Sequence, residues 1–152
     1  MIEDIKSQLH KPNAILLHAQ SMSFQNKKLH CARRIKHPEQ IGFAWGYEVS
    51  VQNLYEISGR AESEWRKIIG NKRAFYVDEL GVVKNHRRQG IGETLNERLL
   101  THVKNLDISY TILRTDVRAV AAKNLYQKFN FRELAIIDAQ YPERTYWLKK
   151  VM

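Results

Sequence analysis

One cysteine, Cys31, stands in 152 residues, so the chain can close no internal disulfide and a reducing compartment suits it. Long apolar runs are missing too. Nothing approaches the ~20 residues that a membrane-crossing helix needs, which argues against a membrane protein. The first eleven residues carry Glu3 and Asp4 and lack the basic-then-apolar order of an export signal. A cytoplasmic protein is therefore expected. Internal repeats, low-complexity tracts and Gly/Ser linkers are absent. So are the Gly-Lys-Ser/Thr of a Walker loop and the Gly-x-Ser-x-Gly of a hydrolase elbow. His18, His30, Cys31 and His37 do not show paired metal-ligand spacing, and no metal site is expected from them.

What is present fits a single globular domain spanning residues 1–152, with residues 1–27 the least legible. Basic residues dominate, with a formal net charge of +9. Residues 1–70 hold 10 basic and 7 acidic side chains, and residues 71–152 hold 15 and 9, so the excess leans toward the second half. An anionic ligand would be drawn there. A nucleotide-like cofactor suits this charge. Nucleic acid is not expected, because no basic-aromatic face or recognised motif accompanies it.

Residues 41–51 form the clearest strand pattern. Ile41, Phe43, Trp45, Tyr47 and Val49 share one face, while Gly42, Ala44 and Gly46 leave the other nearly bare. A helix lying on that bare face is favoured over a ligand. A strand is also expected over 29–35, with a turn at 36–40, and a short one over 14–18. Leu54, Ser58, Ala61, Trp65 and Ile68 recur at helical spacing, with Gly59 weakening the middle of one helix. Residues 74–84 read as a central strand, apolar on both faces, in which Gly81 suggests a bulge or a close approach. Strict alternation puts Glu79 beside Phe75 and Val77. A helix from Ile91, a strand over 108–117, a helix over 119–129 and strands over 131–137 and 144–151 complete the chain. That order predicts an α/β or α+β fold, a mixed twisted sheet with helices on both faces.

Between strand 74–84 and the next helix lies Arg87-Arg88-Gln89-Gly90-Ile91-Gly92. Glycines let a backbone approach a ligand, and a helix start offers free N–H donors with about half a positive charge. A Rossmann fingerprint is excluded, since its third glycine would fall at Leu95 and its acidic partner at Asp107, at the far end of the helix. A tight strand-to-helix turn would also need such glycines. The two arginines and the strand-loop-helix context favour a phosphate cradle.

Residues 82–92, with Leu125-Tyr126-Gln127-Lys128-Phe129-Asn130-Phe131 downstream, resemble the GNAT superfamily of N-acetyltransferases. Its motif is Gln/Arg-x-x-Gly-x-Gly/Ala, met here by Arg87, Gly90 and Gly92, and the resemblance covers about residues 28–150. It implies direct transfer of an acetyl group from acetyl-CoA to a primary amine of a small molecule or a protein. The backbone of Leu80, Gly81 and Val82 would pair with the pantetheine arm, and Arg87, Arg88, Gln89, Gly90, Ile91 and Gly92 would hold the pyrophosphate. Tyr126 would be the general acid for the departing thiolate, although a core tyrosine beside Leu125 and Phe129 is the plain alternative. Glu79, or else Asp116, would take the proton from the amine, with Asp78 and Glu48 behind them. Some family members carry a glutamate where this chain has Arg114. Ala119 replaces a cofactor-contacting asparagine, and Arg88 stands where glycine is common. Those departures keep a second reading open, a non-catalytic CoA or anion sensor. A homodimer also stays open.

Overall fold

The computed structural model describes residues 8–20 and 40–151. The strand expected over 29–35 and residues 36–39 of its turn lie outside the described residues, as does most of the N-terminal decapeptide, while Gln40 already belongs to a strand. Six strands form one sheet: β1 (Ile15–Gln20), β2 (Gln40–Val49), β3 (Ala74–Val82), β4 (Tyr110–Asp116), β5 (Arg132–Ile137) and β6 (Arg144–Lys150). Their order is β1-β2-β3-β4-β6-β5, and only the β3–β4 pairing is parallel. Four helices are described: α1 (Val51–Ser58), α2 (Glu62–Ile69), α3 (Ile91–Lys104) and α4 (Val120–Lys128).

The sheet separates two apolar layers. On one side α3 and α4 bury Ile91, Leu95, Leu99 and Tyr126 against Ala44, Phe75, Leu113 and Trp147. On the other, Leu54, Trp65 and Ile69 of α1 and α2 pack on Trp45, Tyr47, Tyr76 and Tyr146. The bare face of β2 does carry a helix. A Cβ on Gly42 would lie within 3.1–3.2 Å of Leu95 and Ile91, so the missing side chains let α3 come close.

The expected single helix over 54–68 is two helices. Ser50 caps α1 in a capping box with Asn53, and Gly59 closes it at φ 68°, the left-handed conformation that suits glycine. Gly59 thus ends a helix rather than weakening one. It also lets Trp65 of α2 turn inward, where its Nε1 donates to Ser58 Oγ at 3.0 Å.

The alternation of β3 also breaks where composition gives no sign of it. Trp45 opposes Glu79 and Gly46 opposes Val77, so Asp78 is an extra, bulged residue. Beyond it the faces exchange. Leu80 and Val82 join Phe75 and Val77 under α3, while Glu79 and Gly81 turn to the side of Trp45 and Phe43. Glu79 therefore does not share a face with Phe75 and Val77, and the bulge falls at Asp78 rather than Gly81. The close approach at Gly81 is real, with Phe43 3.0 Å from where its Cβ would lie.

Gly46 makes the tightest of these contacts. A Cβ there would collide with the Tyr76 carbonyl oxygen and sit 2.6 Å from the Phe75 ring. Gly46→Ala should cost about 2 kcal/mol, the usual scale of core overpacking. Urea unfolding should show this as a lower midpoint with an unchanged slope.

Candidate active site

β3 and β4 pair only from Ala74 with Tyr110 to Val77 with Leu113. Past that point β3 stays with β2 as far as Val82, while β4 stays with β6 as far as Asp116. The strands fork. Alternate N–H and C=O groups of residues 78–82 therefore face the gap with no strand partner among the described residues. An extended ligand entering there could complete the ladder.

At the end of β3 the chain makes a short 3₁₀ turn, Lys84–His86, and then the loop into α3. Arg87 folds back, its Nε donating to the Val82 carbonyl at 3.1 Å. Arg88 and Gly90 both take left-handed φ values, 62° and 79°. Arg88 thus holds a conformation that glycine would adopt without strain. The amides of residues 88–93 donate to no acceptor among the described residues, and the first settled one is Thr94, bonded to the Gly90 carbonyl at 3.0 Å. Six neighbouring free donors at a helix start are of the kind that suits a polyanion.

The two loop glycines have different reasons. A Cβ on Gly90 would meet open space, so its positive φ is what matters. A Cβ on Gly92 would make ordinary contacts at 3.6–3.9 Å with Leu80, Val82 and Leu125. Those contacts place the start of α3, the tail of β3 and α4 in one spot.

A cavity of about 500 Å³ opens beside the fork, lined by Gln40, Gly42, Phe43, Val83 and Arg87 with Glu79, Leu80, Gly81 and Val82. Five residues expected at the site meet there. Tyr126 and Asp116 are not in its wall. Tyr126 is the buried residue of α4, its ring 5.8 Å from Phe131 and 6.3 Å from Trp147. Desolvation raises its pKa, which keeps the phenol protonated. No acceptor or donor among the described residues meets its hydroxyl.

The carboxylates differ. Glu79 is exposed at the cavity, yet desolvation and then Asp78 raise its pKa. Asp116 is fixed by Arg118, which donates from Nε at 2.9 Å, Nη2 at 2.7 Å and its own amide at 2.8 Å. Those bonds hold its carboxyl well below the usual range, so it is a poor proton acceptor.

A polar knot that the sequence did not signal sits at the fork on the side of α1 and α2. Asp138, 1% exposed, accepts from Arg114 Nη1 at 2.8 Å, Tyr146 Oη at 2.7 Å and the amides of Gln140 and Tyr141 at 2.9 Å. Burial works to raise the Asp138 pKa, but Tyr146, the Tyr141 amide, Arg114 and the Gln140 amide more than offset it, and it stays ionised. Arg114, half-buried, stays charged as well despite desolvation, helped by Tyr76 and Asp138. No single segment could reveal this knot, because Arg114 is 24 residues from Asp138.

The Acetyltransferase (GNAT) family profile matches residues 9–131, and the chain belongs to that family. Its class is that of the acetyl-CoA-dependent N-acetyltransferases. Comparison with curated proteins gives no match. Among solved structures, the chain is similar to Arabidopsis thaliana NAA60 in complex with a bisubstrate analogue, at 17% identity and TM-score 0.68, covering 99% of this chain and 82% of that one. The same protein in complex with acetyl-CoA gives 20% identity and TM-score 0.67, covering 99% and 83%. The ribosomal-protein-S18-alanine N-acetyltransferase from Escherichia coli gives 12% and 0.52, covering 91% and 94%. At these identities the likeness is one of fold.

Alanine scanning should separate the two glycines. Gly90→Ala should cost about 1 kcal/mol for its left-handed backbone. Gly92→Ala should stay within about 0.5 kcal/mol, since ordinary contacts replace empty space. Thermal melts of both variants check this.

Proposed function

We propose that residues 1–152 form one cytoplasmic N-acetyltransferase domain that moves an acetyl group from acetyl-CoA to a primary amine of a small molecule or a protein. The observation that carries this is the coincidence of the fork with the six free amides of residues 88–93. One offers an unpaired strand edge and the other an anion receptor, spaced along a single chain segment. Pantetheine suits the first and a pyrophosphate the second. Leu80, Gly81 and Val82 would bind the former, and residues 87–92 the latter. Each charge-assisted bond to phosphate is worth about 1.5–3 kcal/mol. Acetyl-CoA, when bound, supplies the thioester.

The residues that would move protons are chosen by their settings. Attack requires a neutral amine, whose nitrogen bonds to the thioester carbon as the carbon–sulfur bond breaks. Glu79, directly or through a water, takes the amine proton. Its raised pKa makes it a better acceptor than Asp116, which Arg118 occupies. The departing sulfur takes a proton from Tyr126, whose burial keeps it protonated well into alkaline solution. A non-catalytic CoA sensor would share the receptor and lack these proton steps.

Calorimetry with acetyl-CoA tests the receptor. At a hundredfold its dissociation constant the ligand should add about 2.7 kcal/mol of stability, and no uptake would overturn the reading. Free CoA release over an amine panel then separates enzyme from sensor. Tyr126→Phe should lower kcat about a hundredfold while acetyl-CoA still binds. An unchanged rate would remove Tyr126 from the scheme.

The pH dependence carries its own sign. A base works when deprotonated, so kcat/KM should fall as pH drops through the raised pKa of Glu79. Glu79→Gln should abolish that limb. A limb that survives the substitution belongs to another group.

A further inference from the structure

Resting on the acetyltransferase reading, we infer that the acceptor is an amine whose neighbouring carbon bears a neutral carbonyl, as at a peptide N-terminus: Asp78 receives the ammonium and Arg114 the carbonyl oxygen.

The fork places these two groups opposite each other. The last β3–β4 couple is Val77 with Leu113, so Asp78 and Arg114 are the next residue on either arm. Arg114 turns to the same side of the sheet as Tyr76 and Tyr146, toward α1 and α2. Desolvation raises the Asp78 pKa, while the charges of Lys11 and Arg114 work the other way. The bulge is what leaves Asp78 unpaired in the ladder, and no hydrogen-bond donor among the described residues meets its carboxylate. A carboxylate without a donor beside an opening is suited to a cationic amine.

Arg114 is different in kind. Asp138 balances its charge and fixes its direction through Nη1 at 2.8 Å. A guanidinium carries about five N–H donors, so hydrogen-bonding capacity outlasts the charge. A neutral carbonyl oxygen needs donors and no net charge, whereas a carboxylate would bring a negative charge next to Asp78 and Asp138. The site thus offers one acceptor for an ammonium and one donor set for an oxygen, on the two arms of a single fork. Tyr141, with the Arg144 guanidinium 4.4 Å from its ring centroid, is carried by the loop that Asp138 anchors. It gives that side an aromatic wall for the part of the acceptor beyond the carbonyl.

Four acceptors decide the matter: alaninamide, isopropylamine, alanine, and the side-chain amine of Nα-acetyl-lysinamide. Compared per neutral amine, from rates taken across pH, alaninamide should exceed each of the others in kcat/KM by about tenfold or more, the worth of a hydrogen bond to a charged group. Arg114→Gln should lower kcat/KM for alaninamide about tenfold further than for isopropylamine, mainly through KM. Asp78→Asn should raise KM for every amine. Because Arg114→Gln leaves Asp138 buried without its cation, Arg114→Lys is measured beside it, with melts and acetyl-CoA calorimetry on both. Should neither variant fold, the preference of the unaltered protein decides alone. Equal use of isopropylamine or of the lysine side chain would overturn the inference, and so would a preference for alanine over alaninamide. If acetyl-CoA binds and amines are acetylated without preference, only this inference fails. If acetyl-CoA is not taken up, the function proposed above fails first.

Discussion

The parallel pairing of β3 with β4 lasts four residues and then stops, and the rest of the site depends on where it stops. A sheet interior normally leaves no backbone polar group unpaired, since each such group costs about as much as a lost hydrogen bond. Here the ladder is abandoned at the centre of a six-stranded sheet rather than at its edge. The bulge at Asp78 supplies the physical means. One extra residue bends β3 toward β2 and rotates the following side chains by half a turn, sending Leu80 and Val82 under α3 and Glu79 toward the opposite layer. β4, held by β6 along all seven of its residues, does not follow.

The gap is kept open by packing on both layers. Bare β2 lets α3 lie close, and the helix start is thereby brought over the tail of β3. Gly92 stands where α3, the tail of β3 and α4 meet, with Leu80, Val82 and Leu125 at ordinary contact distance from where its Cβ would lie. An ion pair between Glu93 and Lys128, 2.7 Å long and well exposed, adds little to the union of α3 with α4 compared with those apolar contacts. Tyr126 owes its place to the same packing, wedged between Phe131 and Trp147. Its phenol is thus a core side chain in its surroundings and the proton donor of the proposed mechanism. The two descriptions do not compete, because burial is what keeps the proton on.

Much of this was legible in residue patterns. The glycine pattern of β2 announced a close partner, and Arg87 through Gly92 announced a tight strand-to-helix loop, because both depend on local backbone freedom. Departures came where a distant partner decides the outcome. Nothing in residues 74–84 marks Asp78 as the extra one, since the register of β2 sets it. Gly59 read as a flaw in one helix until Ala139, 2.8 Å from where its Cβ would lie, and the inward turn of Trp65 gave it a reason to be a stop. Asp116 looked like a base at the end of a strand, and Arg118 two residues on made it a cap for its own loop. Asp138 was invisible as a hub, for its donors arrive from β4, β6 and the turn that joins β5 to β6.

That hub raises a question of cost. Burying a carboxylate and a guanidinium together is an inefficient way to stabilise a sheet, because desolvation consumes most of the attraction, and an apolar pair of the same volume would often serve as well. Asp138 nonetheless accepts four hydrogen bonds, and each ties it to something with a direction: a strand of the fork, the neighbouring strand, and two amides of the loop that carries Tyr141. The arrangement specifies orientation more than it adds stability. Arg114 spends its Nη1 on Asp138, and neither Asp78 nor Glu79 meets a hydrogen-bond donor among the described residues, so the two arms of the fork stay chemically distinct.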